Sequence, residues 1–200
     1  MAHNYRARSA LAHCVASLTI CSLSVCLLSA GCDSGNVGDP CTPDAEYSPD
    51  FAPFSVREVY MESRSLQCAT RLCLVNHFQG RVSCPLGQTS SDDEERGCNV
   101  PGPDGAGDLL RVQGEVPAWD LDRTAERAVY CSCRCDGPDP DGRYCECPSG
   151  FECKELVPEV TLENRELAGS YCIKNGSAFD PAQAGGPTCA DAPSDPRCTP

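Results

Sequence analysis

Lysine is nearly missing from this 200-residue chain: Lys154 and Lys174 are the only two, against fourteen arginines. Aromatic residues make up 6% and tryptophan occurs once. Among eighteen cysteines no C-x-x-C spacing occurs, the spacing that structural zinc sites favour. Histidine occupies three positions, and only His77 lies beyond residue 31. A Ser-His-Asp or Cys-His arrangement there must therefore use His77. That residue sits among strand-like neighbours without a nucleophile motif, and reads as an ordinary strand-surface histidine. Large aliphatic side chains are scarce too. From residue 32 onward Leu, Ile, Val and Phe supply only 27 of 169 residues, below the roughly 20% that marks disordered composition when charge is high.

Charge of one sign is also short. All twenty-nine acids lie after residue 31 with only fourteen bases, a net of −15 for that part. Such a surface repels phosphate backbones, so nucleic acid is excluded as a partner class. Arginine over lysine without local clustering reads as coding bias in a GC-rich genome.

Only one long uncharged run occurs. Residues 1–13 carry Arg6 and Arg8 and no acid, and Cys14 to Ala30 is free of charge. The run is short of the ~20 residues a spanning helix needs and matches a signal-peptide apolar region behind a positive start. It ends in Leu28-Ser29-Ala30-Gly31-Cys32. This stretch resembles the bacterial lipobox, with Ser29 where Leu is more usual. The resemblance implies cleavage between Gly31 and Cys32, a thioether-linked diacylglycerol on Cys32 and an amide-linked third acyl chain such as palmitate. Each buried methylene contributes about 0.8 kcal/mol, so two or more chains anchor stably. The expected partner is thus the membrane, through a lipid anchor. A plain secreted chain or an uncleaved anchor are the alternatives. Asp33 fits the enterobacterial rule for inner-membrane retention, but other lineages need not follow it, so inner and outer membrane stay open.

Cysteine parity agrees. Cys14, Cys21 and Cys26 leave with the signal and Cys32 takes the lipid. Fourteen remain: Cys41, Cys68, Cys73, Cys84, Cys98, Cys131, Cys133, Cys135, Cys145, Cys147, Cys153, Cys172, Cys189 and Cys198. An even set can pair completely, although spacing alone does not give the connectivity. A bridge closing ~15 residues is worth about 3 kcal/mol, so several can replace a missing core. They also place the chain in an oxidising compartment and leave no thiol nucleophile.

The fold class expected is small and disulfide-rich, mainly β with much irregular structure, behind an N-terminal signal-peptide helix. Residues 1–31 are the signal. Residues 32–57, with Pro40, Pro43, Pro49 and Pro53, read as a tether pinned through Cys41. A Cys-rich body spans 58–175 as two cross-stapled blocks, 58–117 and 118–175, and 176–200 reads as a flexible tail. Leu74, Val75, Phe78 and Val82 suggest a strand or short hairpin around Gly80, and Leu109–Val116 a second strand. Residues 90–97 form an acidic loop. Asp120 is placed to cap a helical turn through Leu121–Ala128. Alternating Cys131, Cys133 and Cys135, then Cys145 and Cys147, across the loop Asp136–Gly142 read as a hairpin with its cysteines on one face. Neighbours in C-x-C make poor partners, so each bonds elsewhere. The 118–175 block holds an odd seven cysteines, so one bridge leaves it, with Cys41 the simplest partner. Cys189 and Cys198 are placed to close a loop on each other.

Cys145-Glu-Cys147-Pro-Ser-Gly150-Phe151-Glu-Cys153 resembles the C-terminal loop of EGF-like modules over nine residues, with a shorter final spacing. The C-x-C-x-C run is similar to metallothionein-like thiolate clusters, and export favours bridges instead. Asp136, Asp139 and Asp141 with Gly142 hint at a calcium loop, but the EF-hand register fails and turn chemistry accounts for them. Asn175-Gly-Ser177 reads as a turn. The text from Cys32 to Pro43, with that from Cys131 to Cys153, resembles Cys-rich lipoproteins of myxobacteria, a resemblance that implies no activity. The expected function is a cell-envelope lipoprotein with an acidic extracytoplasmic body. It would act as a binding or structural surface protein toward an extracytoplasmic protein or polysaccharide, without cofactor or catalysis. An envelope enzyme, a thiol-redox protein and a Cys/Asp metal-binding module are the alternatives.

Overall fold

The computed structural model describes residues 36–92, 96–102, 110–159 and 166–199, all within one compact unit, Ser34–Pro200. The expected signal-peptide helix, Gly31 and Cys32 lie outside the described residues, as do residues 93–95 of the acidic loop 90–97. No described helix is long and apolar enough to cross a membrane.

The disulfide-rich, mainly β expectation holds. Two three-stranded antiparallel sheets carry the architecture. In the first, β1 (Val59–Glu62), β2 (Leu72–Asn76) and β3 (Val129–Ser132) lie in the order β1-β2-β3. In the second, β4 (Arg134–Asp136), β5 (Phe151–Val157) and β6 (Gly169–Lys174) lie in the order β4-β6-β5. The central strand β2 reads Leu-Cys-Leu-Val-Asn and is buried along its whole length. Its period of two splits it between cores. Cys73 and Val75, with Val129 and Cys131 of β3, join the main cluster around Phe78 and Trp119. Leu74 and Tyr130 point the other way and meet Ile173 of β6. Cys133 is the crossing point between the sheets. There the Cys172 N–H donates to the Cys133 carbonyl at 3.0 Å, and the Ser132 hydroxyl donates to the Cys172 carbonyl at 2.7 Å.

Several expectations are corrected. Leu74 and Val75 lie in the expected strand, β2, but no hairpin turns at Gly80. It pairs instead with Phe54, the two exchanging N–H···O bonds of 2.9 and 3.0 Å. Gly80 has φ +99°, and a Cβ there would lie 2.5 Å from the Pro117 carbonyl, so only glycine fits. Leu110–Val116 is not a strand: Arg111 and Val116 make single bridges to Asn99 and Gln88. That region is a stapled loop, because the Gln88 amide donates to the Val112 and Gly114 carbonyls (2.9 and 2.7 Å) and accepts from the Cys98 N–H. A side chain thus does the work of a ladder. The C-x-C hairpin does not form either, since β3 and β4 belong to different sheets and Cys145–Cys147 lies outside any strand.

The described part of the tether is folded. Phe54 (2% exposed) and Cys41 belong to the main core, and Glu46 is wholly buried. The tail is anchored likewise, with Cys189 and Cys198 in the same core. Proline density predicts extension, but two bridges and one buried arginine outweigh it. The helical turn is as expected: the Asp120 carboxylate accepts from the Asp122 N–H over a 3-10 turn, Leu121–Arg123, and one α-turn follows, Ala125–Ala128.

Candidate functional site

All fourteen expected cysteines are in disulfides: Cys41–Cys73, Cys68–Cys131, Cys84–Cys98, Cys133–Cys145, Cys135–Cys153, Cys147–Cys172 and Cys189–Cys198. No C-x-C neighbours bond each other, in keeping with the geometric objection. The bridge leaving the 118–175 block is Cys68–Cys131, not one to Cys41. Strand register explains this: Cys73 and Cys131 stand opposite each other on β2 and β3, and each takes a partner from a flanking loop.

Beside the second sheet three bridges lie against one another. The Cys172 sulfur lies 3.6 and 3.7 Å from those of Cys133 and Cys145. The sulfurs of Cys135, Cys147 and Cys153 lie within 4.8 Å of one another. Thiolate ligation of a metal requires free thiolates, and in this oxidised arrangement these sulfurs are spent on each other. Of the six cysteines only Cys133 and Cys172 are buried, so the bridges staple this sheet from its partly exposed side.

His77 is not a strand-surface residue. It lies just past β2 in left-handed backbone, φ 53°, half-buried and stacked on Phe179 with ring centroids 4.2 Å apart. Its Nδ1 sits 3.0 Å from the Val56 carbonyl, the contact of an N–H donor. Burial holds its pKa below the ordinary histidine value. Arg123 clamps the same strand end, donating to the carbonyls of His77, Asn76 and Ser177 at 2.6, 2.7 and 3.0 Å. These contacts close the end of β2. They bring no nucleophile to the imidazole.

The Asp136–Gly142 loop uses its acids as turn chemistry. The Asp136 carboxylate accepts from the Gly137 N–H, that of Asp139 from the Asp141 N–H, and the Tyr144 hydroxyl donates to the Asp139 carbonyl at 2.6 Å. Asn175-Gly-Ser177 is a turn, with the Ser177 N–H donating to the Lys174 carbonyl.

Two polar groupings escaped sequence reasoning because their members lie far apart in the chain. In the first, Tyr60 donates to the Asp44 carboxylate at 2.9 Å while the Glu62 carboxylate accepts from the Asp44 N–H at 3.1 Å. Burial and the adjacent Asp44 push the Tyr60 hydroxyl up to about 12. The second is built on two wholly buried charged side chains, Glu46 and Arg81. Glu46 accepts from the backbone N–H groups of Val82 and Ser83 and from the Ser83 hydroxyl. The Arg81 guanidinium donates to the Glu46, Ser48 and Phe51 carbonyls at 3.2, 2.8 and 2.8 Å. A glutamate inside a Pro-rich segment gives no sequence signal of burial.

Burial raises the Glu46 carboxyl above its ordinary value, against the opposing hydrogen bonds and the nearby Arg81. The folded state then holds this proton more tightly than the unfolded one. The contribution of Glu46 is fully present below the usual glutamate range and is lost as pH rises through the raised folded value. Unfolding free energies of wild type and Glu46→Gln measured from pH 4 to 8 should therefore differ by a margin that turns against the wild type as pH rises. A constant margin would contradict the burial cost.

One groove has a distinct character. It opens where the start of β2 meets β4 and β6, has a volume of about 300 Å³, and is lined by Arg71, Arg134 and Arg143 beside the Cys133–Cys145 bridge. Glu166 is the one acid on its wall among the described residues. Arg71 is exposed and left-handed, φ 64°, and neither its side chain nor that of Arg143 has a hydrogen-bonding or charged partner among the described residues. Arg134 lies over the Tyr144 ring at 5.5 Å and donates to the Glu166 backbone carbonyl at 2.9 Å, while its buried Nε has no partner.

Comparison with protein-family models, curated proteins and solved structures finds no match to this chain.

Proposed function

We propose that this chain is a lipid-anchored cell-envelope protein, held through Cys32 and presenting its oxidised body as a binding or structural surface. The seven bridges suit an oxidising, extracytoplasmic setting. The observation that carries the anchoring is the sulfur count. Every cysteine from Cys41 to Cys198 is bonded to another in that range, so Cys32 has no bridging partner there and stands directly after Leu28-Ser29-Ala30-Gly31. A free exported thiol would be reactive, and acylation removes it. The rigid body and acidic surface suit contact with an extracytoplasmic protein or polysaccharide.

Intact mass spectrometry of membrane-extracted protein tests this directly. The expected species lacks residues 1–31, carries acyl mass on its amino terminus, and gains two hydrogens per bridge on reduction. An unacylated chain beginning at Met1 would overturn the reading.

Thiol–disulfide exchange is a second reading with one observation behind it. Cys153 is exposed and Cys135 half-buried, so their bridge is open to an attacking thiolate, and the Cys147 sulfur lies beside it. Under limiting dithiol, Cys135–Cys153 should reduce before the buried Cys68–Cys131. Equal rates would remove the support for exchange.

A further inference from the structure

We propose that the groove between β2, β4 and β6 binds a small molecule carrying two oxyanion groups, carboxylate or phosphate, with Arg71, Arg134 and Arg143 as its ligands. This rests on the binding reading above and names its ligand class. Among the described residues three guanidinium groups share one cavity against the single carboxylate of Glu166, in a chain whose part after residue 31 has a net charge of −15. In such a chain a local positive excess has many acids to neutralise it. Yet Arg71 and Arg143 take none among the described residues, and Arg134 uses the backbone carbonyl of Glu166 and not its carboxylate. The donors of Arg71 and Arg143, both exposed, stay available for an incoming anion.

Residue choice points the same way. The turn at Arg71 holds it in left-handed backbone, its N–H donating to the Cys68 carbonyl at 2.9 Å while its own carbonyl accepts from Ser65 at 3.1 Å. Glycine or asparagine would occupy that conformation with less steric cost. An arginine held there places a long cation at the groove mouth, and strained backbone concentrates at sites of function. Arg134 is the inner ligand. Tyr144 supports its plane, one fork nitrogen is tied to Glu166, and the buried Nε lacks an acceptor. A planar guanidinium matches carboxylate and phosphate through paired N–H donors. With three cations brought by three separate segments, a ligand bearing two such groups satisfies more of them than a single ion does. Leu72, Leu167 and Tyr171 supply the apolar remainder of the wall. The Cys133–Cys145 bridge and the Tyr171 hydroxyl, which donates to the Leu167 carbonyl at 2.6 Å, keep the walls in place before a ligand arrives.

The test is calorimetric titration of the full-length lipoprotein in nonionic detergent at fixed ionic strength, with pyrophosphate in one arm, citrate in another and glucose as the neutral control. One of the two anions should bind at a single site while glucose does not, identifying the ligand as phosphate-like or carboxylate-like. The Arg71→Ala/Arg143→Ala variant should weaken that binding by about tenfold or more, since each lost hydrogen bond to a charged group is worth over 1 kcal/mol. Arg57→Ala, an exposed arginine outside the groove, should leave it unchanged. Both altered arginines are exposed, and unchanged disulfide mapping would verify the fold. No binding of either anion, or equal weakening by Arg57→Ala, overturns the groove. Either result leaves the anchoring reading intact, because the acyl mass on Cys32 is read separately.

Discussion

Replacing Cys68 and Cys131 together by alanine is expected to lower the unfolding free energy by about 4 kcal/mol, the largest loss from removing any one bridge. This bond spans 63 residues, the longest separation of the seven, whereas Cys189–Cys198 spans 9. The loop-entropy relation gives roughly 4 kcal/mol for the first and roughly 2.7 kcal/mol for the second. Cys84–Cys98 sits inside the long loop, and because closure entropy grows only logarithmically it barely reduces the larger figure. Both Cys68 and Cys131 are also fully buried in the main core, so their removal leaves a void on top of the lost constraint. Urea unfolding of each double variant, with the other six bridges intact, measures the difference. If the short tail bridge proved the costlier one to lose, chain constraint would not be the source of stability.

Arg81→Ala should cost about 3–5 kcal/mol, although among the described residues Arg81 donates to backbone carbonyls and to no side chain. Its guanidinium serves three backbone carbonyls of the 46–51 segment, and the residue is completely buried. Truncation leaves those carbonyls without a donor and the buried Glu46 without its nearby cation, the situation in which breaking a buried polar grouping is most damaging. Arg81→Lys keeps the charge but not the fork, so it should recover only part of the loss. The urea midpoint of the oxidised protein reads both variants. A loss within 0.5 kcal/mol of zero, the range of ordinary surface changes, would mean that the 46–51 segment is held by Cys41–Cys73 alone.

These two effects mark where sequence reading succeeds and where it stops. That the cysteines pair, that C-x-C neighbours avoid each other and that Asp120 starts a helical turn all follow from local geometry, which spacing encodes. Connectivity does not, because Cys73 and Cys131 meet only through the β2–β3 register. The Pro-rich stretch after Cys32 has the composition of a tether and is packed by contacts supplied 30 to 37 residues later, from Arg81, Val82 and Ser83. Composition reports what a segment can do alone. It is silent about a distant arginine. The described part of the strand expected at Leu109–Val116 fails as a strand for the related reason that Gln88 supplies hydrogen bonds that a neighbouring strand would otherwise provide. The arginine groove was invisible for the same cause: Arg71, Arg134 and Arg143 look dispersed in the chain, and the crossover at Cys133 gathers them.

Stability here is assigned to paired sulfur in place of an aliphatic interior, and thiol labelling under denaturing, non-reducing conditions, followed by peptide mapping, tests that assignment most directly. No label should reach any cysteine from Cys41 to Cys198, and the linked peptides should include Cys68–Cys131, Cys135–Cys153 and Cys147–Cys172. Labelled cysteines in the folded protein, or links joining C-x-C neighbours, would contradict it.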